Sequence, residues 1–265
     1  KTVAELDALL AKAKADGLLP IMQWGSATGA MGLLFPLQQL MAAYGPAGPI
    51  NDWIWQHKGA TIDTPLNLKA IEHLDAWVKA GYFPTDINAL NYTDSNANFV
   101  KGQGVFTFNG DWENAVYDKN MPGNVGFFLM PPAEAGGNPA AMSAPLTFGI
   151  AATAKHANCA AFFLNWVATN PTARQINVAV GGSNPGGPAG ISMPPVAAGS
   201  VTTETLAAGP IIGKDGNAMD FIANATSSIT SQAWTPELQK MVGGRETAAG
   251  VLKTVQAEYI REITQ

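Results

Sequence analysis

The sequence predicts an α/β protein. Two observations carry this: apolar runs of strand length, and longer segments between them with apolar residues at helical spacing. The runs are Leu18–Met22, Val105–Phe108, Val125–Met130 and Leu146–Ala152. At 265 residues the chain can form one large domain or two modest ones.

The elements follow in order. Thr2-x-x-Glu5 is a capping-box pattern; Val3, Leu6, Leu9, Leu10 and Ala13 follow at helical spacing, and Gly17 is the expected stop. The run Leu18–Met22 reads as a buried strand ending at Gln23-Trp24-Gly25-Ser26. Gly29 to Tyr44 reads as an apolar helix with Pro36 near its start. Gly45 to Gly59 reads as a turn-rich excursion holding Trp53 and Trp55. Thr64-Pro65 pairs an N-cap with a proline at the first helical position, and the helix runs through Leu68, Ile71, Leu74 and Val78 to Gly81. Asp94 is the expected cap of a short helix through Phe99 and Val100.

The Val105–Phe108 strand leads into Gly110-Asp111-Trp112, which opens another helix. Val125–Met130 is a further strand, closed by Pro131-Pro132, and 133–139 is a surface loop. Beyond the strand Leu146–Ala152, an amphipathic helix from Lys155 to Ala168 points Ala160, Phe163, Leu164 and Val167 inward. A helix from Thr172 to Val180 follows, then the breaker Gly181–Pro188, read as a crossing between lobes. Helices are expected around Ala218–Ile229, from Pro236, and from Thr247 through Tyr259 and Ile263.

Composition excludes several classes. The net charge is −5 with scattered Lys and Arg, so there is no basic footprint for nucleic acid. Cys159 is the only cysteine, which rules out an intrachain disulfide or a cysteine zinc site. No apolar run approaches the ~20 residues that span a bilayer. Lys1 opens directly into a helical pattern, as expected of a mature, trimmed or partial chain.

Catalytic signatures are sparse. His57, His73 and His156 lack metal-ligand spacing, and no Gly-x-Ser-x-Gly elbow is present. Gly209–Lys214 is one residue short of a phosphate loop and reads as an ordinary loop. Asp111 and Glu113 could serve a glycosidase as paired carboxylates, but acids at a helix start are favoured by the helix dipole alone.

The informative stretch is Gly102 to Glu113, where a strand delivers one tryptophan into a polar turn. A sugar offers an apolar face to such a ring and hydroxyls to such polar groups. Trp24 and Trp234 also sit at element ends with polar neighbours, whereas Trp77 and Trp166 lie within amphipathic helices.

With these landmarks the chain resembles the carbohydrate-binding extracellular solute-binding proteins of ABC transporters, the maltose-binding-protein-like group. The residues that carry this are the Thr2–Met22 helix and strand, the Ala70–Tyr82 helix pattern, the Phe99–Trp112 motif and the Pro-ended strand Val125–Pro132. They continue with Phe163-Leu164-x-Trp166, Gly181-Gly182 and the closing Gly-Arg-x-Thr helix at Gly244–Gln265. Val105 and Phe106 stand where the family often has Ala and Met.

The resemblance implies a type II periplasmic-binding-protein-like fold with much of the amino-terminal lobe absent from this sequence. It implies residues 1–130 as the main part of the carboxy-terminal lobe and 131–145 as a crossing. Residues 146–181 would return to the other lobe, and 182–265 would hold a second crossing and the last helices. The returning segment alone would then expose apolar surface. The implied function is capture of a mono- or oligosaccharide in an inter-lobe cleft for an importer, without catalysis or cofactor. The implied partners are membrane permease subunits and the rest of the amino-terminal lobe, in the same or a separate chain. The implied location is the periplasm or the cell exterior, with a lipid anchor on a longer parent as an option. The implied site residues are Trp112 as stacking platform, Asn109, Gly110 and Asp111 as polar contacts, Trp24 with Ser26 on the same wall, and Trp234 as a second platform. Ser183 and Asn184 would reach the rim. A hydrolase using Asp111 and Glu113, and a binding protein for a non-sugar solute, are the alternatives.

Overall fold

The computed structural model describes residues 1–26, 32–143, 148–186 and 191–264. They form two compact units: Lys1–Phe108 with Leu129–Ala144 and Ile212–Gln265, and Asn109–Phe128 with Pro145–Ile211. The chain leaves the first unit at Phe108 and returns to it at Leu129.

In the first unit, α1 (Val3–Ala15) starts with the capping box closed in both directions, and Gly17 takes the left-handed φ of 78° that ends it. Leu18–Met22 and Val105–Phe108 do not form full strands. They meet at one parallel bridge between Ile21 and Phe106, where the Met22 N–H donates to the Phe106 carbonyl at 2.8 Å. Helix α2 (Leu34–Tyr44) carries Pro36 in its first turn, where no intrahelical N–H is needed; the expected start at Gly29 lies outside the described residues.

The expected turn-rich excursion is instead a helix, α3 (Ala47–Ile54), because Ala47, Ile50, Trp53 and Ile54 share a buried face that the local Gly and Pro content obscures. Helix α4 (Pro65–Lys79) is capped by Thr64 as expected. Helix α5 (Tyr92–Val100) is capped by Asn91, whose side chain accepts from the Asp94 N–H at 2.9 Å; Asp94 sits in the first turn and is not the cap.

Two three-residue strands, β1 (Ala140–Met142) and β2 (Asn217–Met219), pair in parallel with Ala140 opposite Asn217. Between β2 and the helical turn Thr230–Trp234 stands a 3₁₀ turn, Ile222–Asn224, in place of the helix expected over 218–229. Helices α10 (Thr235–Val242) and α11 (Ala248–Ile263) close the unit, the latter capped by Thr247. One core joins Leu10, Ile21, Leu37, Ile71, Trp53, Trp234 and Tyr259.

In the second unit, a 3₁₀ turn at Asp111–Glu113 leads into α6 (Asn114–Asn120). Helices α7 (Ala157–Thr169) and α8 (Pro171–Ile176) follow, the latter running on through a wider turn at Asn177–Gly181. Helix α9 (Val201–Asp215), of which the part up to Ile211 belongs to this unit, contains Gly209 and Pro210, so the expected loop there is helical. Residues 125–128 and 148–152 are irregular and not strands, and residues 144–147 lie outside the described residues. Helix α7 buries none of its residues: Phe162 is 73% and Phe163 58% exposed, although the sequence pattern points Phe163 inward. Among the described residues the second unit has no sheet against which this face could lie. Among the same residues no helix is long and apolar enough to cross a membrane, and no group of His, Cys, Asp and Glu could hold a metal ion.

Candidate functional site

The strand end that leads to the site is fixed by a residue sequence reasoning missed. Gln23 is fully buried and clamps the Phe108 backbone, its Oε1 accepting the Phe108 N–H and its Nε2 donating to the Phe108 carbonyl, both at 3.0 Å. The Nε2 also donates to the Gly32 carbonyl at 2.7 Å. A glutamine at the end of the apolar run Leu18–Met22 was the available signal.

From Asn109 the chain belongs to the second unit, and the predicted polar residues come together there. Asn109 Oδ1 accepts the Gly110 N–H at 2.9 Å, and its Nδ2 donates to the Tyr117 hydroxyl at 3.1 Å. The Trp112 indole lies directly on Gly110: a Cβ there would stand 2.1 Å from Cζ3 and 2.2 Å from Cη2 of the ring. Gly110 has φ −102°, which any residue adopts, so glycine is needed for this close approach and not for backbone freedom. Trp112 remains 46% exposed. Asp111 Oδ2 accepts the backbone N–H of Asn184 at 2.8 Å, and Oδ1 has no hydrogen-bond partner among the described residues. Asn184 therefore joins this cluster; among the described residues the half-buried Ser183 makes no hydrogen bond to it.

The first unit treats its tryptophans differently. Trp24 is buried, 5.4 Å from Phe35 and 4.8 Å from Tyr92 between ring centroids, and it presents no open face. Ser26 is buried and its N–H donates to the Leu90 carbonyl at 3.2 Å. Trp234 is fully buried and packs edge-on against Trp53 at 6.4 Å. The expectation of a second stacking platform at Trp234 is corrected: the turn Thr230–Trp234 points the indole into the core, and no face is left for a ligand.

The family model described as "Bacterial extracellular solute-binding protein" matches residues 1–174. The chain belongs to this family. As a solute-binding protein it shares its fold with solved structures of low sequence identity. A chitin oligosaccharide binding protein is similar with TM-score 0.81 and 19% identity, over 100% of this chain and 65% of that one. A maltose-bound MalE3 of T. maritima has TM-score 0.71 and 18% identity, over 98% of this chain and 65% of that one. A raffinose complex of the solute-binding protein RafE has TM-score 0.69 and 18% identity, over 98% and 66%. The chain therefore spans about 65% of the length of the first of these structures. A comparison with curated protein sequences returned no match.

Proposed function

We propose that this solute-binding protein captures a mono- or oligosaccharide for an ABC importer, with Trp112 as the stacking platform. The observation that carries the reading is the half-exposed indole seated on Gly110, with Asp111 the next residue in the same turn. The ring offers a flat apolar surface, and Asp111 Oδ1, without a hydrogen-bond partner among the described residues, can accept from a sugar hydroxyl. That the similar structures include binders of chitin oligosaccharide, maltose and raffinose supports the ligand class. Calorimetry of Trp112→Ala with an oligosaccharide panel tests it. The expected result is loss of most affinity with a retained fold, and unchanged affinity rejects the platform.

The remaining partners follow from the family: permease subunits at the membrane, and a periplasmic or extracellular setting. The open apolar face of α7 and the 65% coverage of the chitin oligosaccharide binding protein support a further partner for the second unit. That partner is the rest of the amino-terminal lobe, in the same polypeptide or a separate one. A 27.7 kDa chain that stays monomeric and binds sugar by itself refutes this part. A transport receptor releases its ligand unchanged, so no oligosaccharide in the panel should be cleaved. Turnover would favour a hydrolase using Asp111 and Glu113.

A further inference from the structure

We propose that Arg174 is a positioning residue for the Trp112 turn, acting through the backbone of residues 182–186. Arg174 lies in α8 and is 1% exposed. A buried guanidinium is strongly unfavourable unless its N–H groups are satisfied. No carboxylate pairs with it among the described residues. Its Nη1 donates to the carbonyls of Ala168, at 3.1 Å, and Gly186, and its Nη2 to the Ser192 carbonyl at 3.4 Å, with Met193 Sδ at 3.8 Å. Ala168 lies in the last turn of α7, where the helix dipole favours a cation. A charged fork spread over main-chain carbonyls holds a path of backbone, which a single ion pair to a side chain would not do.

That path leads to the site. The Gly186 N–H donates to Asn184 Oδ1 at 3.0 Å, and the Asn184 N–H donates to Asp111 Oδ2 at 2.8 Å. The other end of the segment is also tied to the same turn. Gly182, at φ 70°, presents its carbonyl to Asn114 Nδ2 at 3.1 Å, and a Cβ on Gly182 would stand 2.6 Å from the Asn114 Cβ. Residues 182–186 are thus held at Asn114, Asp111 and Arg174, and the turn that carries Trp112 is braced from both ends. The inference rests on the proposed sugar reading only for its effect on affinity.

The test begins without ligand, on Arg174→Met, which keeps volume and removes the donors, and on Arg174→Lys, which keeps the charge but not the fork. Amide hydrogen exchange at residue 184 and acrylamide quenching of Trp112, isolated by subtraction of a Trp112→Phe background, are read alongside circular dichroism. The expected result for a folded Arg174→Met is exchange at residue 184 faster by tenfold or more and altered Trp112 quenching, with Arg174→Lys intermediate. Unchanged exchange and quenching in that folded variant overturn the proposal. Asn184→Ala, on the exposed loop, cuts the link between Arg174 and Asp111 while leaving both in place, so it serves if Arg174→Met fails to fold. It should also alter Trp112 quenching, and unchanged quenching overturns the proposal. Oligosaccharide affinity is then measured, with a tenfold or greater weakening expected in Arg174→Met. If exchange responds but the wild type binds no sugar, the positioning role stands and the sugar reading fails.

Discussion

Gly110→Ala separates the Trp112 ring from its seat by a single methyl group. The backbone of Gly110 suits alanine, so no strain arises from φ. The new Cβ would lie 2.1 Å from the indole, whereas carbon atoms rest at about 3.5–4.0 Å, so the ring must retreat by roughly 1.5 Å or change rotamer. Because Trp112 is 46% exposed, it has room to do so at a cost of about 1 kcal/mol, which lowers Tm by roughly 2–4 °C. Affinity should suffer more. A sugar covering about 100 Å² of ring gains roughly 2.5 kcal/mol at ~25 cal/mol per Å², and losing that contact weakens Kd by about 60-fold. Titration calorimetry and Trp112 emission read both effects. Wild-type emission with wild-type affinity would refute the seating of the ring on Gly110 as a functional device. A collapse of Tm instead would make Trp112 a structural cap.

Trp234→Ala should destabilise the first unit by about 3–5 kcal/mol, because the fully buried indole leaves a cavity beside Trp53, and denaturant unfolding measures it. Asp118→Ala should cost about 1–2 kcal/mol in the second unit, read by the same melt. Asp118 accepts the Val201 N–H at 2.7 Å and the Thr202 hydroxyl at 2.6 Å at the start of α9. Burial pushes the phenols of Tyr44 and Tyr259 above their ordinary range, and for Tyr44 the carboxylates of Asp7 and Glu134 push the same way. The fold thus favours the neutral phenols; their contribution is fully present below the unfolded pKa of about 10 and is lost as pH rises through the raised folded values. Absorbance of phenolate should appear later in the native protein than in the denatured one, and coincident titrations would contradict this.

Local signals made much of this protein legible in sequence. Thr2-x-x-Glu5, Thr64-Pro65 and Thr247 start helices through their own hydrogen bonds, and Gly17 ends one through its own φ; neither needs a distant partner. The ordered landmarks from Thr2 to the closing helix were enough to indicate the family, and the 1–174 match agrees. Within the Asn109–Trp112 turn, Asn109 and Trp112 act on their neighbour Gly110, whereas Asp111 reaches Asn184, 73 residues away.

Tertiary structure decided what depends on distant chain. Trp24, Trp112 and Trp234 all stand at element ends in sequence, yet of the three only Trp112 is exposed, at 46%. Packing settles that difference: Phe35 and Tyr92 cover Trp24, Trp53 meets Trp234, and Trp112, seated on a neighbouring glycine, stays half exposed. The same holds for α7, whose helical spacing promised a buried face. Spacing states which residues share a face; only the fold supplies, or withholds, a surface to cover it.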